Sequence, residues 1–436
     1  MKNTKTKTIY VCSNCGNETL LWQGKCPYCA EWNTLKEVKS QPVKGNNKRA
    51  NSEPAKAVKL NLIENGNFKR ISAGIGEVDR VMGSGIVPGS LILLSGDPGI
   101  GKSTLLLQLS AHFSNSLDVL YVSGEESAGQ VKMRTDRLGL KTDKMHFLAE
   151  TDVDNIISEI TKTKAQICII DSIQTIFDAN YPSTPGSIVQ VRECALKFQQ
   201  LAKASNIPII LVGHVTKGGE IAGPKTLEHL VDVVLYLEGE RYHGTRILRG
   251  VKNRFGATDE IGIFEMAEKG LKEVDNPSEI FLKERLETVP GSVVTATVEG
   301  TRPFLVEIQA LTNRTNFGYP RRACSGLDFN RLQLLIAVLQ KRAGLNLSDQ
   351  DIYINVVGGF KIKEPAVDLA VCLAIASAYS NKKIDPNFSV FGEVGLTGEI
   401  RTVSQKSKRE NESKRLGFNS TIRAKTLKGA LAEVFK

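Results

Sequence analysis

The chain has 436 residues, enough for two to four domains, and its 41% hydrophobic and 24% charged residues exclude a disordered, collagenous or disulfide-scaffold protein. No apolar run approaches the ~18 residues of a membrane span, and Met1-Lys2-Asn3-Thr4-Lys5 leads into no signal-peptide core, so a cytoplasmic protein with no membrane partner is expected. Lysine and arginine outnumber aspartate and glutamate by 57 to 47, and the net charge of +10 is compatible with a polyanionic partner.

Four of the eight cysteines cluster as Cys12-x2-Cys15-x10-Cys26-x2-Cys29. Each C-x-x-C turn presents two thiolates to one ion, and two such turns supply the S4 set of a structural Zn2+. A closed four-sulfur site has no open coordination position, so residues 1–38 are expected to fold as a small contact module without chemistry of their own. Lys, Asn, Ser, Pro and Gly then dominate as far as Ala57, and residues 39–60 read as a flexible basic linker. Cys168, Cys194, Cys324 and Cys372 read as small core residues.

From Phe68 to about Met266 the pattern alternates. The apolar runs Leu91–Ser95, Val119–Ser123, Ile167–Asp171, Ile207–His214 and Val233–Leu237 are separated by helical segments, which predicts an α/β core: a mostly parallel sheet with helices on both faces. The first run enters Gly96-Asp97-Pro98-Gly99-Ile100-Gly101-Lys102-Ser103-Thr104, followed by an amphipathic segment, Leu105 to Phe113. Strand, G-x-x-x-x-G-K-[ST] loop and helix are the context of a phosphate loop. Its backbone amides would surround the phosphates of ATP, Lys102 would reach the β/γ-phosphates, and Ser103 would offer a hydroxyl to Mg2+.

Downstream, Ile169-Ile170-Asp171-Ser172 places a carboxylate at the end of an apolar strand, where Asp171 would hold the hydration shell of Mg2+. Glu125 and Glu126 follow the Val119–Ser123 strand, and Glu125 is favoured as the group that polarises an attacking water. His214 ends the Ile207–Gly213 strand, ahead of a loop over residues 216–223, and could report the γ-phosphate state. Lys252 and Arg254 close the β-patterned stretch Thr245 to Lys252. Alternation directs both to one face, where cations delivered across a subunit boundary would act as arginine fingers do.

Together, GDPGIGKST, the Glu125-Glu126 turn, IIDS, GHVTKGG and above all Lys252-Asn253-Arg254-Phe255-Gly256 resemble the RadA (Sms) family of bacterial DNA-repair ATPases, whose signature is KNRFG. The resemblance spans essentially the whole chain. It implies a RecA-like core over residues 61–275, a homo-hexameric ring, ATP-driven movement on single-stranded DNA, and processing of branched recombination intermediates beside a RecA-type recombinase. It also implies that residues 276–436 form an α+β domain similar to the Lon protease domain.

Lon-type proteases use a Ser-Lys dyad, but Lys363-Glu364-Pro365-Ala366-Val367-Asp368-Leu369 has Ala366 at the serine's place, and Ser407 stands at the lysine's. A scaffold is expected there, not a peptidase. An ATP-switched protein-binding scaffold is the alternative reading of the whole chain, and an ATP-dependent peptidase a weaker one. In the helix after Val403-Ser404 the stripe positions are Lys406, Glu410 and Ser413. A polar stripe has no face to bury, so this segment is expected to be a solvent-exposed helix or poorly ordered.

Overall fold

The computed structural model describes residues 7–12, 18–40, 59, 69–181, 183–214, 227–239, 244–286, 289–316, 318–358, 361–419 and 422–435. Cys15, most of the 39–60 linker and the loop over residues 216–223 lie outside the described residues. The chain divides into two compact units, one of Met1–Glu238, Leu248–Thr258 and Ala267–Leu271, the other of Gly239–Ile247, Asp259–Met266 and Lys272–Lys436.

The first unit begins with a small antiparallel sheet of β1 (Lys7–Cys12), β2 (Glu18–Thr19) and β3 (Leu35–Ser40) in the order β2-β1-β3. Its core is minimal, with Cys12, Cys26 and Leu35 buried together. So small a core needs a further staple, and thiolates converging on a metal supply one.

The larger part is built on six parallel strands, β4 (Leu91–Gly96), β5 (Val119–Ser123), β6 (Met145–Ala149), β7 (Ile167–Asp171), β8 (Ile209–His214) and β9 (Val233–Glu238). Their order is β9-β4-β8-β7-β5-β6. The alternation expected from the sequence is present because β4, β5 and β7 are buried along their whole length, as strands covered on both faces must be. Leu91, Leu93, Leu120, Val122, Cys168 and Ile170 pack with Ile156 and Ile160 of α4 (Val153–Thr163) and with Val191, Cys194 and Phe198 of α5 (Ile188–Ser205). The intervening residues Ile92, Leu94, Tyr121 and Ile169 are buried on the other face, where α2 (Lys102–Ser114) lies.

The helices start where side chains can cap them. Asp152 accepts from the Asp154 and Asn155 amides to open α4, Ser187 accepts from Gln190 to open α5, and Ser127 with Gln130 forms a capping box on α3 (Ala128–Arg137). A short α1 (Gly76–Met82) precedes the sheet. Register sets the edge that matters: Gly96 pairs with His214 and Ser123 with Asp171, so these four strand ends line the carboxyl edge, where open α/β sheets bind ligands.

Three further strands follow in sequence, β10 (Thr245–Asn253), β11 (Ile261–Ala267) and β12 (Gly270–Glu273). The second unit contains a sheet of β13 (Ser292–Glu299), β14 (Arg302–Arg314), β15 (Arg322–Ser325) and β16 (Gln350–Val356) in the order β13-β14-β16-β15, antiparallel except for β15 on β16. After α6 (Pro277–Leu282), α7 (Phe329–Val338) and α8 (Asp368–Ser380) close its core. α8 is buried on nearly every side from Asp368 to Ser377. A two-stranded ribbon, β17 (Glu393–Val394) with β18 (Ile400–Arg401), precedes α9 (Lys406–Arg415) and α10 (Leu427–Val434).

The expectation for the polar segment fails at α9. The helix packs on β13 and β14, with Arg409 and Ser413 fully buried. Lys406 is exposed and Glu410 half-buried, so the inward face is the i, i+4 pair Arg409 and Ser413, not the stripe through Lys406 and Glu410. Polarity does not prevent burial because each group is satisfied: Ser389 donates to Ser413 Oγ at 2.8 Å, and the Arg409 guanidinium meets Glu364 and backbone carbonyls.

Of the four lone cysteines, Cys168, Cys194 and Cys372 are fully buried, and burial pushes their thiols up, Cys194 to about 12, as inert core residues require. Cys324 is half-buried on β15.

Candidate functional site

The loop between β4 and α2 turns on glycines. Gly96, Gly99 and Gly101 have φ of 149°, 78° and 116°, a region side chains rarely adopt, and a Cβ on Gly96 would stand 2.3 Å from the Leu237 carbonyl oxygen. Ile100 anchors the loop in the core, while Asp97, Pro98 and Gly99 are exposed. Lys102 is 4% exposed, and its ammonium donates to the carbonyls of Gly96 at 2.8 Å and Asp97 at 3.0 Å. Burial lowers its pKa, opposed by the carboxylates of Asp171, Asp97 and Glu125. Ser103 and Thr104 stand in the first turn of α2, whose amides and dipole favour an anion.

Beside the loop, Asp171 ends β7 at 8% exposure and accepts a hydrogen bond from Tyr121 Oη at 2.7 Å. The two glutamates after β5 separate in role. Arg134 Nη1 donates to both carboxylate oxygens of Glu126, each at 2.7 Å. Glu125 accepts from Ser172 Oγ at 2.8 Å and lies 3.9 Å from His214 Nε2. Close fit enforces the turn, since a Cβ on Gly124 would stand 2.4 Å from Thr175 Oγ1. Burial, then the nearby Lys102, lowers the pKa of His214, with Glu125 and Asp171 pulling the other way. Gln174 donates to the His214 carbonyl at 3.4 Å. The structure thus brings Lys102, Asp171, Glu125 and His214 to one edge.

Lys252 and Arg254 are elsewhere. β10 stops at Asn253, leaving Arg254 past its end. The Lys252 ammonium donates to the carbonyls of Glu228 at 2.6 Å and Val231 at 2.8 Å, and burial followed by the Arg254 charge lowers its pKa. Arg254 donates to Asp232 Oδ1 at 3.1 Å, and Asp232 Oδ2 in turn accepts from the Leu91 amide at 3.1 Å. Leu91 starts β4 and Gly96 ends it, so both cations sit at the opposite end of that strand from the phosphate loop.

In the ribbon, the Sγ atoms of Cys12, Cys26 and Cys29 all lie within 4.8 Å of one another, with Cys12 and Cys29 3.7 Å apart. Two thiolates on a tetrahedral Zn2+ at ~2.3 Å are separated by about 3.8 Å, so the spacing fits that ion. In the second unit, Ala366 is buried at the start of a short turn before α8, and Ser407 is exposed on α9.

Sequence reasoning missed Tyr121, Ser172, Gln174 and Asp232. Ser172 carried a signal, its place next to Asp171. The other three show their partners only in the fold.

Residues 63–220 match the AAA domain family, and residues 10–37 match the rubredoxin metal binding domain family. The chain is 52% identical over 423 residues to DNA repair protein RadA from Bacillus subtilis (strain 168), covering 96% of this chain and 92% of that protein. It is 49% identical over 432 residues to DNA repair protein RadA from Listeria monocytogenes serovar 1/2a, covering 98% and 94%. A KaiC-like protein from Pyrococcus horikoshii OT3 is similar at 21% identity and a TM-score of 0.40, over 48% of this chain and 99% of that one. An ATP-binding AAA domain and a zinc ribbon are therefore both present. Among the described residues, no helix is long and apolar enough to cross a membrane.

Proposed function

The chain belongs to the RadA family of DNA repair proteins, and from that premise we propose that it is a DNA-dependent ATPase that moves on single-stranded DNA and promotes branch migration of recombination intermediates. The observation that carries this reading is the convergence of Lys102, Asp171 and Glu125 on the carboxyl edge of the parallel sheet. Lys102 is the compact charge for the transferring phosphate, and the amides of Gly96 to Thr104 form the cradle.

Ser103 and Asp171 offer a hydroxyl and a carboxylate, the hard oxygen donors Mg2+ takes beside substrate phosphates. Bound there, Mg2+ would neutralise charge developing between the β- and γ-phosphates. Glu125, held by Ser172, orients and deprotonates the attacking water, with His214 at the same edge as the group that feels the γ-phosphate.

Arg254 and Lys252 serve a neighbouring subunit in a homo-hexameric ring. Their position at the far end of β4 supports this, because neither stands at its own phosphate loop. The ribbon of residues 1–38, joined by the 39–60 linker to an ATPase domain over 61–275, is a contact module, and the Lon-like domain over 276–436 is a scaffold. A RecA-type recombinase is the expected protein partner. Measuring ATP turnover with and without single-stranded DNA, alongside negative-stain imaging, tests the reading. Stimulated turnover by ring-shaped particles is expected, whereas turnover indifferent to DNA would leave the ATP-switched scaffold as the better account.

A further inference from the structure

Asp171 has a partner that its role as a metal-facing carboxylate does not require. β5 and β7 are parallel neighbours in which Tyr121 pairs with Ile169 and Ser123 with Asp171. Tyr121 and Asp171 are therefore diagonal neighbours on one face, within reach of a long side chain. Tyr121 uses that reach. Its ring is wholly buried, stacks on Phe147 of β6 at 6.4 Å between centroids and 19° between planes, and carries its hydroxyl to 2.7 Å from Asp171 Oδ2. A phenol could satisfy its donor on a backbone carbonyl. Here the partner is the carboxylate that faces the phosphate loop.

We propose that Tyr121 is a positioning residue for metal-nucleotide binding: by occupying Asp171 Oδ2 it fixes the rotation of the carboxylate and leaves Oδ1 as the oxygen presented to a divalent cation's hydration shell. The inference rests on the ATPase reading above. A carboxylate at a strand end can otherwise turn about its terminal torsion, which is broad and roughly two-fold. The stacked ring removes that freedom, because the phenol cannot follow a turning carboxylate without leaving Phe147. An ionised carboxylate can only accept, so the phenol hydroxyl is the donor of this pair.

The test is Mn2+ titration of the full-length protein with a non-hydrolysable ATP analogue, read by electron paramagnetic resonance, in wild type, Tyr121→Phe, Asp171→Asn and the double variant. Phenylalanine keeps the buried ring and its stacking while removing only the donor. Tyr121→Phe is expected to need roughly ten-fold more Mn2+ for half-saturation, the scale of one hydrogen bond to a charged group, while binding metal-free analogue as wild type does. In the Asp171→Asn background the same change is expected to have no further effect. Unchanged Mn2+ affinity in Tyr121→Phe, or an equal loss in both backgrounds, overturns the inference and leaves the ATPase reading standing. Failure of wild type to bind the analogue overturns both. A second measurement needs no change at Tyr121: the ultraviolet resonance Raman difference between wild type and Asp171→Asn should show one tyrosine losing a strong acceptor, and a difference without a tyrosine component overturns the inference.

Discussion

Arg409 and Glu364 are joined in the second unit by a two-pronged ion pair, Nη1 to Oε1 at 2.8 Å and Nη2 to Oε2 at 2.5 Å, with the arginine side chain 1% and the glutamate 22% exposed. Backbone and side-chain groups extend the pair on both sides. Arg409 also donates to the carbonyls of Ala296 at 2.7 Å and Ser404 at 3.1 Å, while Glu364 Oε1 accepts from Thr297 Oγ1 and the Val298 amide. The pair fastens α9 and the turn before α8 to β13.

Removing one partner leaves the other charge with little access to water, which costs more than the pair contributes. Arg409→Ala should therefore lower unfolding stability by about 3 kcal/mol, and Arg409→Lys should recover only part, since an ammonium cannot reproduce the fork. The double replacement Arg409→Met with Glu364→Leu should be milder than Arg409→Ala. Denaturant unfolding of the full chain decides. A double variant less stable than the single one would mean the ion pair contributes more than its desolvation takes away.

The ribbon should bind one Zn2+ per chain through Cys12, Cys15, Cys26 and Cys29. Because Cys12, Cys26 and Leu35 form its buried core among the described residues, removing the metal should unfold residues 1–38 and expose thiols to titration. Metal analysis combined with thiol counting during chelation checks this, and well under half an equivalent in carefully purified protein would rule it out.

Local chemistry in this chain was legible from sequence, and through-space chemistry was not. Gly96 to Thr104 announces itself because strand, glycine loop and helix are consecutive, and the apolar runs that became β4, β5, β7 and β8 show because burial on both faces needs unbroken hydrophobicity. Tyr121 looks like one more strand aromatic until register sets it beside Asp171, fifty residues away. Arg409 misleads more strongly, since periodicity can identify only an apolar face, while its partner Glu364 is 45 residues distant. Glu125 and Glu126 are adjacent, and although Glu125 is favoured from sequence, the contacts that separate them, Ser172 on Glu125 and Arg134 on Glu126, appear only in the fold.

Lys102→Ala should abolish ATP turnover, because it removes the ammonium held at the mouth of the phosphate loop. Asp171→Asn should impair Mg2+-dependent hydrolysis more than nucleotide binding, as the cradle of amides is untouched. Steady-state turnover together with analogue binding separates the two, and substantial turnover by Lys102→Ala would remove the assignment.

His214 supplies a pH test. Burial lowers its pKa in the fold from the ordinary 6.5, so between the two values the unfolded chain binds more protons than the folded one. Its neutral form therefore contributes stability that is complete above pH 6.5 and is lost as the pH falls to and through the lower folded value. Wild type should lose stability relative to His214→Gln over that interval and not above it. Urea midpoints measured at several pH values check the sign, and a difference independent of pH would contradict it.

The last prediction separates the two cations of the KNRFG segment. Lys252 holds two backbone carbonyls, so Lys252→Met should loosen the turn at Glu228 to Val231 and lower stability, whatever it does to activity. Arg254 is about half exposed but the side chain of its partner Asp232 is only 6% exposed, so Arg254→Ala leaves a buried carboxylate with the Leu91 amide and should also lower stability, by an amount on the order of 1–3 kcal/mol. Its effect on turnover should be large. β4 rises ~3.3 Å per residue, which sets the Leu91 end holding Asp232 roughly 17 Å from Gly96, too far for a guanidinium to touch a phosphate in its own loop. An arginine acting across a subunit boundary can contribute roughly 10³ to 10⁵ in rate. Arg254→Ala should thus bind nucleotide normally while DNA-stimulated hydrolysis collapses. Rings mixed from Lys102→Ala and Arg254→Ala subunits, each inactive alone, should regain activity wherever an intact phosphate loop faces an intact Arg254. If mixed rings form and nothing returns, Arg254 acts on DNA or on the structure of its own subunit, and the trans assignment falls.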